Sequence, residues 1–253
     1  MLVEIYNDYE AMSSRAANVV AHQIQRKPDS VIGFATGSTP LGLYKRLIER
    51  NQSGILDLSK ITTFNLDEYV GLPPHHDQSY HFFMWENFFK HVNVSERNVF
   101  IPMGMTEDFE HYCAWYEERI EKAGGIDLQI LGIGANGHLA FNEPGSSLGS
   151  RTRIKILTEQ TVEDNARFFE NPDEVPRFAI TMGIGTIMEA RKLLLIASGE
   201  SKADAIKATL EGPITAMVPS TIVQLHRNSH ILLDEAAASK LEYRHHHGIS
   251  EPK

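Results

Sequence analysis

Residues 31–50 read VIGFATGSTPLGLYKRLIER, and the fold is decided by how this stretch divides. Val31–Ala35 is a short, nearly continuous apolar run, the pattern of a strand buried on both faces. Leu41–Arg50 carries a helical pattern. Between them lies TGSTP, in which Pro40 suits the first turn of a helix and Thr39 its N-cap. Gly37 lets the backbone come close to a ligand. The free N–H groups and the dipole of a helix start favour an anion. A capped helix without a ligand has the same local signature.

Working outward, the same unit recurs on both sides. Strand-like runs occupy Ile61–Phe64, Leu128–Leu131, Phe178–Ile180, Leu193–Ala197 and His230–Leu233. Helical patterns occupy Tyr9–Gln25, Tyr80–His91, Phe109–Lys122, Ile184–Ala190 and Lys202–Leu210. Strands alternating with helices predict an α/β fold with a mostly parallel sheet and helices on both faces. No Pro/Gly/Ser-rich linker divides the chain. Residues 1–253 therefore read as a single α/β domain, with a mobile excursion around 146–175.

Each strand-like run leads into a polar or glycine-rich loop. These are TGSTP, NLDEY, GIGANGHLAFNEPG, TMGIG and SGESK. In an open parallel sheet such loops share the carboxyl edge, where ligands bind. NLDEY places Asp67 and Glu68 just beyond a buried strand, where an acid can serve as a general base or simply cap a helix. SGESK puts Lys202 in the first turn of a helix, against the helix dipole. A bound phosphate would remove that conflict; a solvated lysine is the plainer reading. GIGANGHLAFNEPG contains a literal G-x-G-x-x-G at Gly132, Gly134 and Gly137. It does not open a helix, because Asn142, Pro144 and Gly145 interrupt the residues after it, so a dinucleotide fingerprint is excluded. The loop instead brings Asn136, His138 and Glu143 together. A histidine with an acidic partner is a proton-transfer pair.

The whole chain limits the function. It has 253 residues and a net charge of −9, with 42% apolar and 23% charged residues. That is the profile of a globular protein and argues against nucleic-acid binding. The longest late apolar run, Leu193–Ala197, is too short to span a bilayer. The start, MLVEIYNDYE, lacks the basic n-region of a signal peptide. The single cysteine, Cys113, lies on a helical apolar stripe and reads as a buried, reduced thiol. Together these features predict a cytoplasmic location. His75, His76 and Asp77 lack metal-ligand spacing, so no metal is expected. Basic groups cluster at Arg151, Arg153 and Lys155, with Arg167 further on. The basic run alone reads as a solvated strand, and Arg167 could pair with phosphate through both guanidinium arms.

The segments FATGSTP, TFNLDEYVGL, GIGANGHLAFNEPGSSLGSRTRI, NARFF and ITMGIGTI resemble glucosamine-6-phosphate deaminases in order and spacing, over about residues 1–235. The resemblance implies a modified Rossmann-like sandwich without metal or redox cofactor, acting on a small-molecule sugar phosphate. Asp67 matches the base that moves a proton between C2 and C1. His138 matches the base for opening the sugar ring, and Glu143 its supporting partner. Asn136 stands where many members have Asp and others Asn; it cannot relay a proton and is left with orientation. Gly37, Ser38 and Thr39, with Arg167 and Lys202, match the phosphate site, and Arg167 lies in a segment similar to the family's lid. Ser146, Arg153 and Lys155 match an effector segment of the activated, oligomeric members, so a homo-oligomer is conceivable. The tail KLEYRHHHGISEPK does not align with the terminal tyrosine those members use. Two rivals share features with this reading. A 6-phosphogluconolactonase would need no C2 base. A non-catalytic sugar-phosphate sensor would need a DNA-binding helix-turn-helix, for which the first 30 residues leave no room.

Overall fold

The computed structural model describes residues 1–158, 162, 166, 169, 171, 174–243 and 245–247. Eleven strands run among them: β1 (Leu2–Tyr6), β2 (Val31–Phe34), β3 (Thr62–Asn65), β4 (Asp67–Tyr69), β5 (Val99–Phe100), β6 (Leu128–Leu131), β7 (Arg153–Ile156), β8 (Phe178–Thr181), β9 (Leu193–Ala197), β10 (Ser229–Asp234) and β11 (His246–His247). Eight form one sheet in the order β11-β1-β10-β9-β6-β2-β3-β5. Every neighbouring pair in it is parallel. All residues of β2, β6, β9 and β10 are buried, although successive side chains point to opposite faces. Both faces are therefore covered, as the unbroken apolar runs predict.

The covering helices are α1 (Tyr9–Arg26), α2 (Leu41–Gln52), α3 (Tyr80–Asn87), α4 (Phe109–Lys122), α5 (Ile184–Met188) and α6 (Ala203–Glu211). Their starts obey local chemistry. Asp8 caps α1 by accepting the Ala11 N–H, Ser79 caps α3 through Phe82, and Asp108 caps α4 through His111. At the opposite edge of the sheet a buried acid ties three elements together. Asp127 accepts the Val31 N–H at 2.8 Å and pairs with Lys27 at 2.6 Å and Arg191 at 3.1 Å.

Strand order positions the site. From β2 the chain winds outward through β3 to β5, then returns to β6 on the other side of β2 and winds away through β9 and β10. The direction reverses between β2 and β6. Loops leaving their carboxyl ends diverge there and open a crevice.

Two sequence expectations are corrected, and one strand was missed. The run at 178–180 belongs to a separate three-stranded sheet, β4-β8-β7, in which it pairs antiparallel with both neighbours. An isolated apolar run cannot say which sheet it joins. The strand β1 was hidden by its acidic and polar residues, Glu4 and Tyr6, which form a buried-edge cluster with Arg15. The helix beginning at 80 ends at Asn87, and Phe89–His91 continues as a 3-10 turn. The lid anticipated around 146–175 falls partly outside the described residues, as does Arg167. Among the described residues no helix is long and apolar enough to cross a membrane.

Candidate active site

The crevice between β2 and β6 holds a cavity of about 240 Å³. Its walls are supplied by the ends of those strands, the start of β4, Tyr80 of α3 and the residue before α6.

TGSTP forms one wall. Pro40, rather than Thr39, occupies the cap of α2, one residue later than expected, and its own side chain makes no capping bond. The first N–H groups of the helix are thus left to other partners. Gly37 has φ +99°, which a side chain would resist. Gly37, Ser38 and Thr39 all line the cavity, and Lys202 faces them from the N-cap of α6. The Lys202 helix likewise starts one residue later than expected, at Ala203. The SGESK loop is held from behind by Asp234. Its carboxylate accepts the Gly199 N–H at 3.1 Å, the Ala237 N–H at 2.7 Å and the Ser198 hydroxyl.

Asp67 opens β4 and sits, 6% exposed, on the cavity wall. Burial, and after it the charge of neighbouring Glu68, push its pKa up to about 8. Glu68 points the other way along the strand. It accepts N–H groups from Tyr69, Tyr80 and His81, each at 2.8 Å, and so pins the start of α3 to β4. Burial pushes Glu68 up to about 7 against the pull of these donors. Tyr80, carried in by this clasp, stacks on Phe141 with ring planes 1° apart, and both rings line the cavity.

The loop after β6 carries a linked trio. The Asn136 side-chain oxygen accepts the His138 backbone N–H at 3.1 Å and lies 2.8 Å from His138 Nδ1. The Asn136 amide nitrogen donates to Glu143 Oε2 at 2.9 Å. Both bonds fix the amide orientation, so in the neutral tautomer Nδ1 carries the hydrogen and Nε2 is left as an acceptor. Glu143, 2% exposed, is 3.6 Å from His138 Nδ1 and acts on the ring chiefly through Asn136. Two of the three glycines of the pattern have their explanation here. A Cβ on Gly134 would meet the His138 ring at 2.1 Å, and Gly137 has φ +81°. Ala140 has φ 52°, uncommon for a non-glycine residue, and it also lines the cavity.

The structure thus gathers Asp67, His138, Gly37, Ser38, Thr39 and Lys202 around one cavity, with Asn136 and Glu143 behind the histidine. It places the other candidates elsewhere. Arg153 turns inward and donates to Asn142 Oδ1 at 3.0 Å, while Asn142 donates to Leu139 O and Met182 O. Ser146 is 2% exposed, and its hydroxyl finds no partner among the described residues. Lys155 sits on β7, away from the cavity wall. TMGIG begins at Thr181, the last residue of β8 in the small sheet, and backs the site through Met182. A larger groove of about 1150 Å³ runs between α4 and β7. It lies off the crevice and is lined by Cys113, whose buried thiol is pushed up to about 11, far from a reactive thiolate. Tyr80 and Asp234 were missed from sequence. Tyr80 reads there as one more apolar position of α3, and Asp234 as an acid after a strand.

A family model described as glucosamine-6-phosphate isomerases/6-phosphogluconolactonase matches residues 7–232. The chain belongs to this family. Within it, the chain is 56% identical over 239 residues to the glucosamine-6-phosphate deaminase of Thermoanaerobacter sp. (strain X514), covering 94% of both chains. It is 51% identical over 242 residues to that of Clostridium perfringens (strain 13 / Type A), covering 96% of this chain and all of the relative. A solved family structure, described as a monomeric glucosamine-6-phosphate deaminase, superposes with a TM-score of 0.92 at 46% identity, covering 94% of this chain and 99% of that one. The 6-phosphogluconolactonase of Leishmania guyanensis superposes with a TM-score of 0.75 at 19% identity, over 96% of this chain and 99% of that one, a likeness of fold.

Proposed function

We propose that this chain converts glucosamine 6-phosphate and water to fructose 6-phosphate and ammonia. The carrying observation is that one small cavity holds a buried carboxylate, Asp67, the acceptor nitrogen of His138 and an anion-ready loop at 37–39. A sugar phosphate gripped at C6 by that loop and Lys202 extends its C1–C2 end toward Asp67 and His138. Arg167, in the segment that would close as a lid, adds a second arm to the phosphate.

The steps are proton transfers followed by addition of water and loss of ammonia. His138 Nε2 takes the C1 hydroxyl proton and passes it to the ring oxygen O5 as the C1–O5 bond breaks and the pyranose opens. Asp67 then removes the C2 proton, leaving a cis-enolamine, and returns it to C1. The resulting iminium at C2 is attacked by water, and ammonia leaves. One carboxylate serves both carbons because the phosphate grip fixes the substrate. A carboxyl pushed up to about 8 is a stronger base than an ordinary aspartate once ionised, and the substrate's cationic amine favours the ionised form. Asn136 and Glu143 keep His138 in the tautomer that can accept. The reaction belongs to amino-sugar breakdown in the cytoplasm, downstream of N-acetylglucosamine. For Ser146, Arg153 and Lys155 to take an effector phosphate, Arg153 would have to leave Asn142. Activation is therefore weak, and saturation by substrate is close to hyperbolic.

The deciding test is a coupled assay for fructose 6-phosphate with ammonia measured in parallel. Equal yields of both from glucosamine 6-phosphate are expected. Hydrolysis of 6-phosphogluconolactone without ammonia release from the amino sugar would overturn the proposal.

A further inference from the structure

The loop at 36–40 is a wall with two sides. Its inner side is the cavity that holds Asp67, His138 and Lys202. On its outer side is a hollow where Ser38 and Thr39 meet Tyr9, Lys45 and Ser198. Tyr9 is the first residue of α1, fixed there by the Asp8 cap, and its ring packs at the margin of the main core. Its hydroxyl lies 3.0 Å from the Thr39 carbonyl and 3.2 Å from the Ser38 carbonyl, and it accepts the Gly42 N–H at 2.7 Å. One hydroxyl hydrogen is shared between two carbonyls, and one lone pair takes a first-turn N–H of α2. Among the described residues, no other side chain from outside the loop hydrogen-bonds Ser38 or Thr39.

A trans peptide sends its C=O and the next N–H in opposite directions. Turning the Ser38 carbonyl outward to Tyr9 turns the Thr39 N–H inward. Thr39 is succeeded by Pro40, which has no N–H, so the Thr39 N–H is the last backbone donor before the helix. Without Tyr9 the Ser38 carbonyl would keep only the long 3.3 Å bond from the Leu41 N–H, and the peptide could flip and present a carbonyl oxygen to an anion, which would repel it. Gly42 takes part for a related reason. Its N–H is one of the groups a helix start leaves unsatisfied, and the same hydroxyl satisfies it.

We propose that Tyr9 is a positioning residue for the anion loop, holding the Ser38–Thr39 peptide so that its N–H faces the cavity. This rests on the reading of residues 37–39 as a phosphate loop. Tyr9 touches no substrate atom; it acts through the orientation of the loop and through anion affinity.

The test titrates inorganic phosphate against wild type, Tyr9→Phe and Tyr9→Leu by calorimetry, with steady-state kinetics on glucosamine 6-phosphate alongside. Tyr9→Phe keeps the ring and removes only the hydroxyl. It should weaken phosphate binding and raise KM by roughly three- to tenfold, the weight of one or two hydrogen bonds, with a smaller change in kcat. Tyr9→Leu should lose packing and melt at a lower temperature, with the same loss of phosphate affinity. Unchanged phosphate affinity in Tyr9→Phe overturns the proposal, as does a loss confined to Tyr9→Leu, which would assign the effect to the ring. If wild type binds phosphate and Tyr9→Phe weakens it, while glucosamine 6-phosphate is not turned over, the positioning role stands and the substrate assignment falls.

Discussion

The tripeptide Leu-Asp-Glu occurs twice in this chain, at 66–68 and at 233–235, each time at the carboxyl end of a buried parallel strand. The two aspartates are equally buried, 6% exposed each. Their fates differ. Asp234 is surrounded by donors, namely Gly199, Ala237 and the Ser198 hydroxyl, and serves as the clamp of a loop. Asp67 faces a cavity, and burial with the nearby charge of Glu68 pushes its pKa up to about 8. The glutamates differ as well. Glu68 takes three backbone N–H groups and sets α3, whereas Glu235 is exposed. Burial alone therefore does not make a carboxylate reactive. What matters is whether donors are provided for it. An aspartate with its donors in place is architecture, and one buried without them is poised to exchange a proton.

The largest test of this contrast is turnover. Asp67→Asn should lower kcat by about 10²–10⁴-fold, the usual weight of a general base, with KM within a few-fold. Asp234→Asn should retain most of kcat. Comparable kcat losses in the two variants would break the distinction.

The next effect concerns binding. Asp234 holds the loop that presents Lys202, so the two residues should share a kinetic signature. Lys202→Ala should raise KM roughly ten- to hundredfold, the range for a charged hydrogen bond, with little change in kcat. Asp234→Asn should raise KM in the same direction and by less. A kcat defect without a KM defect in either variant would remove the loop from the phosphate site.

Stability should separate the aspartates by sign. In Asp234→Asn the amide oxygen can keep the Gly199 and Ala237 N–H groups, but the charge is lost and the amide nitrogen replaces the oxygen that took the Ser198 hydroxyl and shared the Gly199 N–H, at a cost of about 1–3 kcal/mol in urea unfolding. Asp67→Asn should be more stable than wild type. The folded state raises the Asp67 pKa from 3.8 to about 8. Its contribution is thus fully present below the unfolded value and is lost as pH rises through about 8. Asparagine has no such loss, so the gap between Asp67→Asn and wild type should widen from pH 5 to pH 9. A gap that narrows would contradict the raised pKa.

The smallest effect is a shift in the pH profile. The acidic limb of kcat/KM in the wild type should lie above the ordinary carboxylate range, rising as Asp67 ionises. Glu68→Gln removes the neighbouring charge and should move that limb to lower pH, alongside a drop in kcat as α3 loses its clasp. A limb that stays in place would show that burial alone sets the Asp67 pKa.

By itself the sequence determined the repeating unit of strand, loop and helix, because strands buried on two faces must be apolar throughout and helices buried on one face must be periodic. It therefore determined the parallel sheet, the carboxyl-edge loops and most of the residues around the cavity. It also excluded the dinucleotide reading of 132–137. Tertiary structure alone decided the rest. It took residues 178–181 out of the main sheet, turned Arg153 onto Asn142, placed Asn136 between His138 and Glu143, and made Asp67 and Asp234 opposites. Asn136 finds its partners two and seven residues away in its own loop, but the other three share one physical reason. Periodicity records which face of an element is buried, but hydrogen-bond donors and charges reach a polar group from segments distant in the chain. Ser198 is 36 residues from Asp234 and Asn142 is 11 from Arg153, and no local pattern encodes such partners.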